Sequence, residues 1–244
     1  MPAGSTRGSA ASEVGVRLVI AGSRPWNRHS FEAWARRQDH ETWFVSAPAE
    51  LDAGRIGTFA PDYVFFIHWS WKIPAELYEP LECIGFHMTD LPFGRGGSPL
   101  QNLIVRGIRE TRLSAFRVSA KMDAGPIYLK RPLSLEGRAG DIFVRASDLA
   151  FRMIDEIVER RIVPVPQQGQ PVVFQRRTPG ESRLPESSTL DGVYDFIRML
   201  DAEGYPQAFI EHGAFRLEFT GAQRTDDAVT AHVRIVAADS EKDS

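Results

Sequence analysis

Short apolar runs and amphipathic stretches alternate along the first two thirds of the chain. Residues 16–22 are rich in β-branched side chains and end in glycine, which predicts the first strand of a parallel sheet. A helix is expected around 31–37, then strands at 42–46 and 63–67. The second of these strands is apolar on both faces and therefore central. Between Pro74 and Pro80 only a short helical turn fits, and an apolar strand follows at 83–87.

Ser98-Pro99 has the form of a helix start, a hydroxyl able to cap free N–H groups followed by a proline at the first helical position. Leu100, Leu103, Ile104 and Ile108 then mark one helical face. Residues 113–122 read as a strand feeding a loop at Asp123, and extended structure resumes at 126–129. From Asp141 onward, Leu149, Ala150, Met153, Ile154, Ile157 and Val158 give the clearest amphipathic helix of the chain. Alternating strands and helices imply an α/β, Rossmann-like and mostly parallel sheet flanked by helices. After the proline-rich break at 163–171 the pattern changes. A short helix at 190–200 precedes strands at 208–211, 215–219 and 229–235, so a small C-terminal helix plus antiparallel-strand module is expected. The organisation predicted is a flexible tail (1–14), a main α/β domain (15–170), a linker or arm (171–188), the small module (189–237) and a second flexible tail (238–244).

Composition narrows the function classes. With 244 residues, 43% hydrophobic and 25% charged, the chain is long enough for a well-buried core. Its net charge of -3 gives no overall attraction for a nucleic-acid backbone, which disfavours nucleic acid as a partner. Cys83 is the only cysteine, so no intrachain disulfide or cysteine zinc cluster can form, and His29, His40, His212 and His232 lack metal-ligand spacing. No metal is expected. The N-terminal stretch has no signal-like apolar segment, and no run approaches the roughly 20 apolar residues of a membrane span, so a cytoplasmic location is expected.

Candidate chemistry lies at two strand ends. His87 closes the apolar run 83–87, and in open parallel sheets ligands bind at the carboxyl ends of strands. Gly94, Gly96 and Gly97, beside Arg95, indicate a loop of close approach. The bland alternative is a core histidine satisfied by one hydrogen bond. Asp123, before Ala-Gly-Pro, is equally a common turn former. Next to His87, its carboxylate would hold the imidazole and favour the protonated form, which stabilises an oxyanion.

The stretches His87-Met88-Thr89-Asp90-Leu91-Pro92 through Arg95-Gly96-Gly97-Ser98-Pro99, and Met122-Asp123-Ala124-Gly125-Pro126-Ile127, resemble the signature of the folate-dependent formyltransferases. That family's pattern runs Asn-x-His-x-Ser-x-Leu-Pro, a basic residue and glycine, then a distant Asp-x-Gly-x-Ile. The resemblance covers roughly residues 60–220 and includes a segment at 192–209 similar to the C-terminal module of formyltransferases acting on amino sugars and methionyl-tRNA. It implies transfer of a formyl group from N10-formyltetrahydrofolate to a primary amine, with His87 and Asp123 as the catalytic pair. Trp71, Ile73, Pro74, Met122 and Gly125 would bind the folate, and Trp69, Arg95 and Gly96 the acceptor. The family asparagine two residues before the histidine is here Gly85. Side chains that could stand in for it are His68, Ser70, Thr89 and Asn102; otherwise the chemistry is slow, or the chain is a catalytically impaired relative that keeps a binding pocket. A nucleotide-linked or free amino sugar is the acceptor expected, with methionyl-tRNA or a hydroxyornithine-type metabolite as alternatives. A hydrolase would need only water as acceptor. A dinucleotide-binding reading is disfavoured because residues 21–25 lack the spaced glycines of that fingerprint. The C-terminal module could serve a homodimer or hold the carrier portion of the acceptor.

Overall fold

In the computed structural model, residues 15–186 and 189–238 are described; the expected tail at 1–14, two residues of the arm and nearly all of the C-terminal tail lie outside them. The apolar runs form β1 (Arg17–Gly22), β2 (Glu41–Val45), β3 (Tyr63–Ile67) and β4 (Cys83–His87). These strands pair in parallel. Next come β5 (Arg95–Gly96), β6 (Glu110–Arg117) and β7 (Ile127–Ser134). β6 and β7 are long enough to turn back on the sheet and join it antiparallel. Among the described residues the main sheet has six strands in the order β2-β1-β3-β4-β6-β7. Burial on both faces explains why β1 and β3 read as continuous apolar runs.

Helices cover both faces. α1 (Pro25–Ala35) and the long amphipathic α5 (Ala139–Arg160) pack on one face through Trp26, Trp34, Phe143, Phe151 and Ile154. α2 (Ala53–Phe59) and α3 (Ala75–Tyr78) cover the other with Ile56 and Leu77, in a core cluster that also takes in Val19, Val64, Phe66 and Cys83. Burial pushes the Cys83 thiol up to about 12, so it stays a protonated, apolar filler. α1 starts six residues before the expected position. Pro25 occupies its first turn, and the Asn27 amide oxygen accepts from the Arg24 N–H (3.2 Å). α2 has no expected counterpart, since two of its seven residues are glycine and only Ile56 is buried; the Asp52 carboxylate starts it by accepting from the Arg55 N–H (2.7 Å).

Two expectations are corrected. β6 ends at Arg117, not 122, because the chain leaves the sheet to form the loop that carries Asp123. Ser98 precedes α4 (Pro99–Ile104) as expected, but it adopts φ 49° and its hydroxyl accepts from the Arg177 N–H (3.0 Å) instead of capping the helix. That bond fixes the arm, which contributes β8 (Val173–Phe174) as a parallel partner to β5.

The C-terminal module comprises α6 (Leu190–Arg198) and an antiparallel sheet of β9 (Ala208–His212), β10 (Phe215–Arg224) and β11 (Val229–Ala237). Phe196, Ile197, Met199 and Leu200 enter the same core cluster as α5. Arg198, only 1% exposed, is paired with Asp195 (2.7 Å) and donates to the carbonyls of Leu135 (2.6 Å) and Gly137 (2.8 Å), which ties the module to the main sheet. Among the described residues no helix is long and apolar enough to cross a membrane.

Candidate active site

β4 delivers His87 to the carboxyl edge of the parallel sheet, with the side chain 9% exposed. Its Nε2 lies 2.7 Å from the Gly94 carbonyl oxygen, an acceptor only, so Nε2 carries the hydrogen and donates. Nδ1 then faces Asp123 Oδ2 across 3.8 Å. Asp123 is held by the Gly96 N–H, which donates to the same oxygen (2.8 Å). Its backbone is left-handed (φ 49°), a conformation that aspartate tolerates better than most residues. The two strand ends therefore meet. The gap is wider than a direct hydrogen bond, and a group able to donate to both atoms fits it.

The glycine loop is close-packed, although the approaching group is the chain's own arm. At Gly94 (φ 75°) a Cβ would stand 2.7 Å from both the Phe174 ring and the Thr89 methyl group; at Gly96 (φ 101°) it would stand 2.4 Å from the Phe174 carbonyl oxygen. Arg95 gives both its Nε (3.2 Å) and Nη2 (2.7 Å) to Gln167 Oε1. The Gln167 amide in turn donates to the carbonyls of Asp123 (2.9 Å) and Gly125 (2.8 Å). Arg95 thus braces the Asp123 loop, and Gln167, in the proline-rich break expected at 163–171, is the piece that joins the two motifs. Its only signal in the sequence is its place among prolines and glycine.

The space beside Gly85 is apolar. A Cβ there would lie 2.8 and 2.9 Å from the Phe116 ring, and all three of the nearest atoms belong to that ring. Phe116 sits directly across from Gly85 on β6. None of the proposed stand-ins takes this place. His68, at φ 50°, accepts at Nδ1 from the Trp26 indole N–H (3.1 Å), with the Asn27 amide at 3.2 Å; its Nε2 faces Met88 Sδ at 3.2 Å. Asn102 gives its amide to the carbonyls of Gly97, Ser98 and Gln175 (3.2, 3.1 and 3.0 Å). Thr89 is fully buried with its hydroxyl 3.4 Å from the Gly94 carbonyl, and Ser70 is exposed. The glycine and the phenylalanine fit each other, so Gly85→Asn alone is expected to destabilise the fold by about 1–3 kcal/mol through overpacking. In urea unfolding, Gly85→Asn combined with Phe116→Ala should cost less than the sum of the two single changes; strict additivity would refute the fit.

Burial and the Arg24 charge lower the pKa of His68 to about 4, below its ordinary 6.5, so the ring is neutral in the folded chain. Between those pH values the unfolded chain takes up a proton that the folded one refuses. Stability is therefore lost as pH falls from 6.5 towards 4. Chemical denaturation of wild type and His68→Asn across this range should show the wild type losing ground at low pH; a constant difference would contradict it.

Trp69 and Trp71 meet edge to face (5.1 Å) beyond β3, with Trp71 47% exposed. The Trp69 indole N–H is buried and has no hydrogen-bond partner among the described residues. Trp69 and Ile73 each pack against the core cluster of Val64, Phe66 and Cys83, and Pro74 starts α3. Met122 is 71% exposed at the lip of the Asp123 loop. The half-exposed face of Trp71 suits a planar heteroaromatic ligand.

A family model described as the methionyl-tRNA formyltransferase C-terminal domain matches residues 179–236. A solved structure of methionyl-tRNA formyltransferase from Clostridium thermocellum is 44% identical, with 91% of this chain and 100% of that one covered and a TM-score of 0.89. The chain belongs to the folate-dependent formyltransferase family. Methionyl-tRNA formyltransferase of Clavibacter michiganensis is 30% identical over 59% of this chain and 49% of its own length. The chain thus spans about half the length of the curated relatives it matches. The structure of a 4-N formyltransferase from Francisella tularensis, 14% identical, shares the fold over 91% of this chain and 97% of that one, with a TM-score of 0.65.

Proposed function

We propose that the protein moves a formyl group from N10-formyltetrahydrofolate to a primary amine at the His87–Asp123 gap. The observation that carries this reading is the pairing of His87 Nδ1 with Asp123 Oδ2 at 3.8 Å inside a loop braced from both sides. The folate supplies an activated formyl carbon, for which Trp69, Trp71, Ile73 and Pro74 form a suitable edge. With Nε2–H committed to Gly94, Nδ1 is the atom free to take a proton from the attacking amine. The imidazolium so formed stabilises the developing oxyanion beside it, and Asp123 balances its charge. The same proton then goes from Nδ1 to the departing N10, which restores His87 for the next turn. Phe116 offers no hydrogen bond where the family has an amide. Removing one oxyanion donor costs about 10²–10³ in rate in another enzyme class, so turnover is expected to be slow.

The names of the relatives described above favour the α-amine of methionyl-tRNA as acceptor over the amino sugar expected from the sequence. They also leave the expectation against nucleic acid without support. The net charge of -3 is the observation that keeps an amino sugar as the second reading. Assaying release of tetrahydrofolate with methionyl-tRNA, a nucleotide-linked amino sugar or no amine distinguishes the readings. Amine-dependent release supports transfer, equal release without amine indicates a hydrolase, and folate binding without any release indicates an impaired relative.

A further inference from the structure

Asp123 sits in a loop that leaves the sheet after β6 and returns to it at β7. Lys121 and Met122 before it are exposed, and Asp123 takes a left-handed backbone, so contacts from outside the loop must fix the direction of its carboxylate. Two adjacent residues supply them. The Gly96 N–H donates to Asp123 Oδ2 (2.8 Å). Arg95 reaches the main chain of the same loop through Gln167: its Nε and Nη2 donate to Gln167 Oε1 (3.2 and 2.7 Å), and Gln167 Nε2 donates to the carbonyls of Asp123 (2.9 Å) and Gly125 (2.8 Å). Arg95-Gly96 therefore grips Asp123 by side chain and main chain together.

The direction of the amides along 95–97 makes this possible. The N–H groups of Arg95 and Gly97 donate to the arm, at the carbonyls of Val172 (2.9 Å) and Phe174 (3.2 Å), while the Gly96 N–H between them serves Asp123. The arm also places Gln167. Val165 exchanges two hydrogen bonds with Ile127 at the start of β7 (2.7 and 2.8 Å), and Val173 and Phe174 pair with β5, so Gln167 is held between the two motifs. Its amide uses both ends, since the oxygen accepts from a cation and the nitrogen gives its two hydrogens to two carbonyls. A carboxylate in its place would satisfy Arg95 and repel both carbonyls.

We infer that Gln167 is the positioning residue that aims Asp123 at His87, and that Arg95 acts through Gln167 instead of holding the acceptor, the part that the sequence resemblance implies for it. The catalytic consequence rests on the formyl-transfer reading. The placement of Asp123 does not, and it has a test of its own.

Amide hydrogen exchange, resolved by NMR on the full chain, reads that placement without turnover. Gln167→Met keeps the length of the side chain and removes its hydrogen bonds. The Gly96 N–H should then exchange about tenfold faster or more, because its acceptor is released, while the N–H groups of Arg95 and Gly97 keep their protection. Gln167→Glu should do the same, since it retains a partner for Arg95 and loses the donor. Acceleration at all three amides would show that Gln167 only supports the arm, and no acceleration at Gly96 that it does not hold Asp123; either overturns the inference. In the assay for amine-dependent release of tetrahydrofolate, Gln167→Met and Arg95→Met should each lower kcat by about 10–10²-fold, with the amine KM within about twofold of wild type. Neither should lower kcat further once Asp123→Ala is in place, and a full additional loss on that background refutes the positioning role. A raised amine KM in Arg95→Met, with kcat kept, returns Arg95 to the acceptor and overturns its part. A wild type without turnover counts against formyl transfer, and the exchange of the Gly96 amide still decides the role of Gln167.

Discussion

His87→Ala is expected to lower kcat for amine-dependent release of tetrahydrofolate by about 10²–10⁴, the usual contribution of a positioned acid or base. The side chain is buried at the end of β4 with one nitrogen already bonded to the Gly94 carbonyl, and the other faces Asp123 across the gap. No strand pairing depends on the imidazole, and the Thr89 hydroxyl also lies beside the Gly94 carbonyl, at 3.4 Å. The variant should therefore fold, and its circular dichroism and folate binding should stay near wild type while kcat collapses. Asp123→Asn tests the partner. It keeps an oxygen for the Gly96 N–H but removes the charge that balances the imidazolium, so kcat should fall with little change in KM. Retention of wild-type kcat in His87→Ala would remove His87 from the reaction.

Gly125→Ala is the second large effect, and it acts through backbone geometry. A Cβ at this position would stand 1.8 Å from the Arg117 carbonyl oxygen and 2.9 Å from its carbon. Neither atom is the end of a flexible side chain. Arg117 is fixed by its own N–H, which donates to the Pro126 carbonyl (2.8 Å), so the loop and the end of β6 must separate. Loss of about 3–5 kcal/mol is expected, in the range of the most damaging single substitutions. Because the Gly125 and Asp123 carbonyls share the Gln167 amide, the separation also releases Asp123 from His87. Urea unfolding measures the first effect, and turnover of whatever fraction stays folded measures the second. A stability within 1 kcal/mol of wild type would show that the loop yields more easily than its contacts imply.

The sheet was legible because its strands are buried on both faces: residues 63–67 and 83–87 could hardly be anything else. α5 was legible because an amphipathic stripe over 22 residues has no competing period. α2 was not, since two glycines dilute its pattern and Asp52 alone announces it. At the site, His87 and Asp123 could be named from residue type and position. The reason for the glycines at 94 and 96 could not, because the group that approaches them, Phe174, lies some eighty residues further along the chain. Gln167 escaped for the same reason.

The sequence by itself determined the strand and helix order, the family resemblance and the two polar residues at strand ends, since each follows from local periodicity or a short contiguous motif. Only the tertiary structure decided what stands beside Gly85. Pairing of β4 with β6 puts Phe116 across from it, and no spacing rule links residues 31 positions apart on antiparallel neighbours before that pairing is known. The arm's return over the glycine loop and its attachment to the C-terminal module are likewise products of packing. They depend on which surfaces are buried together, and a linear chain carries that information only after it has folded.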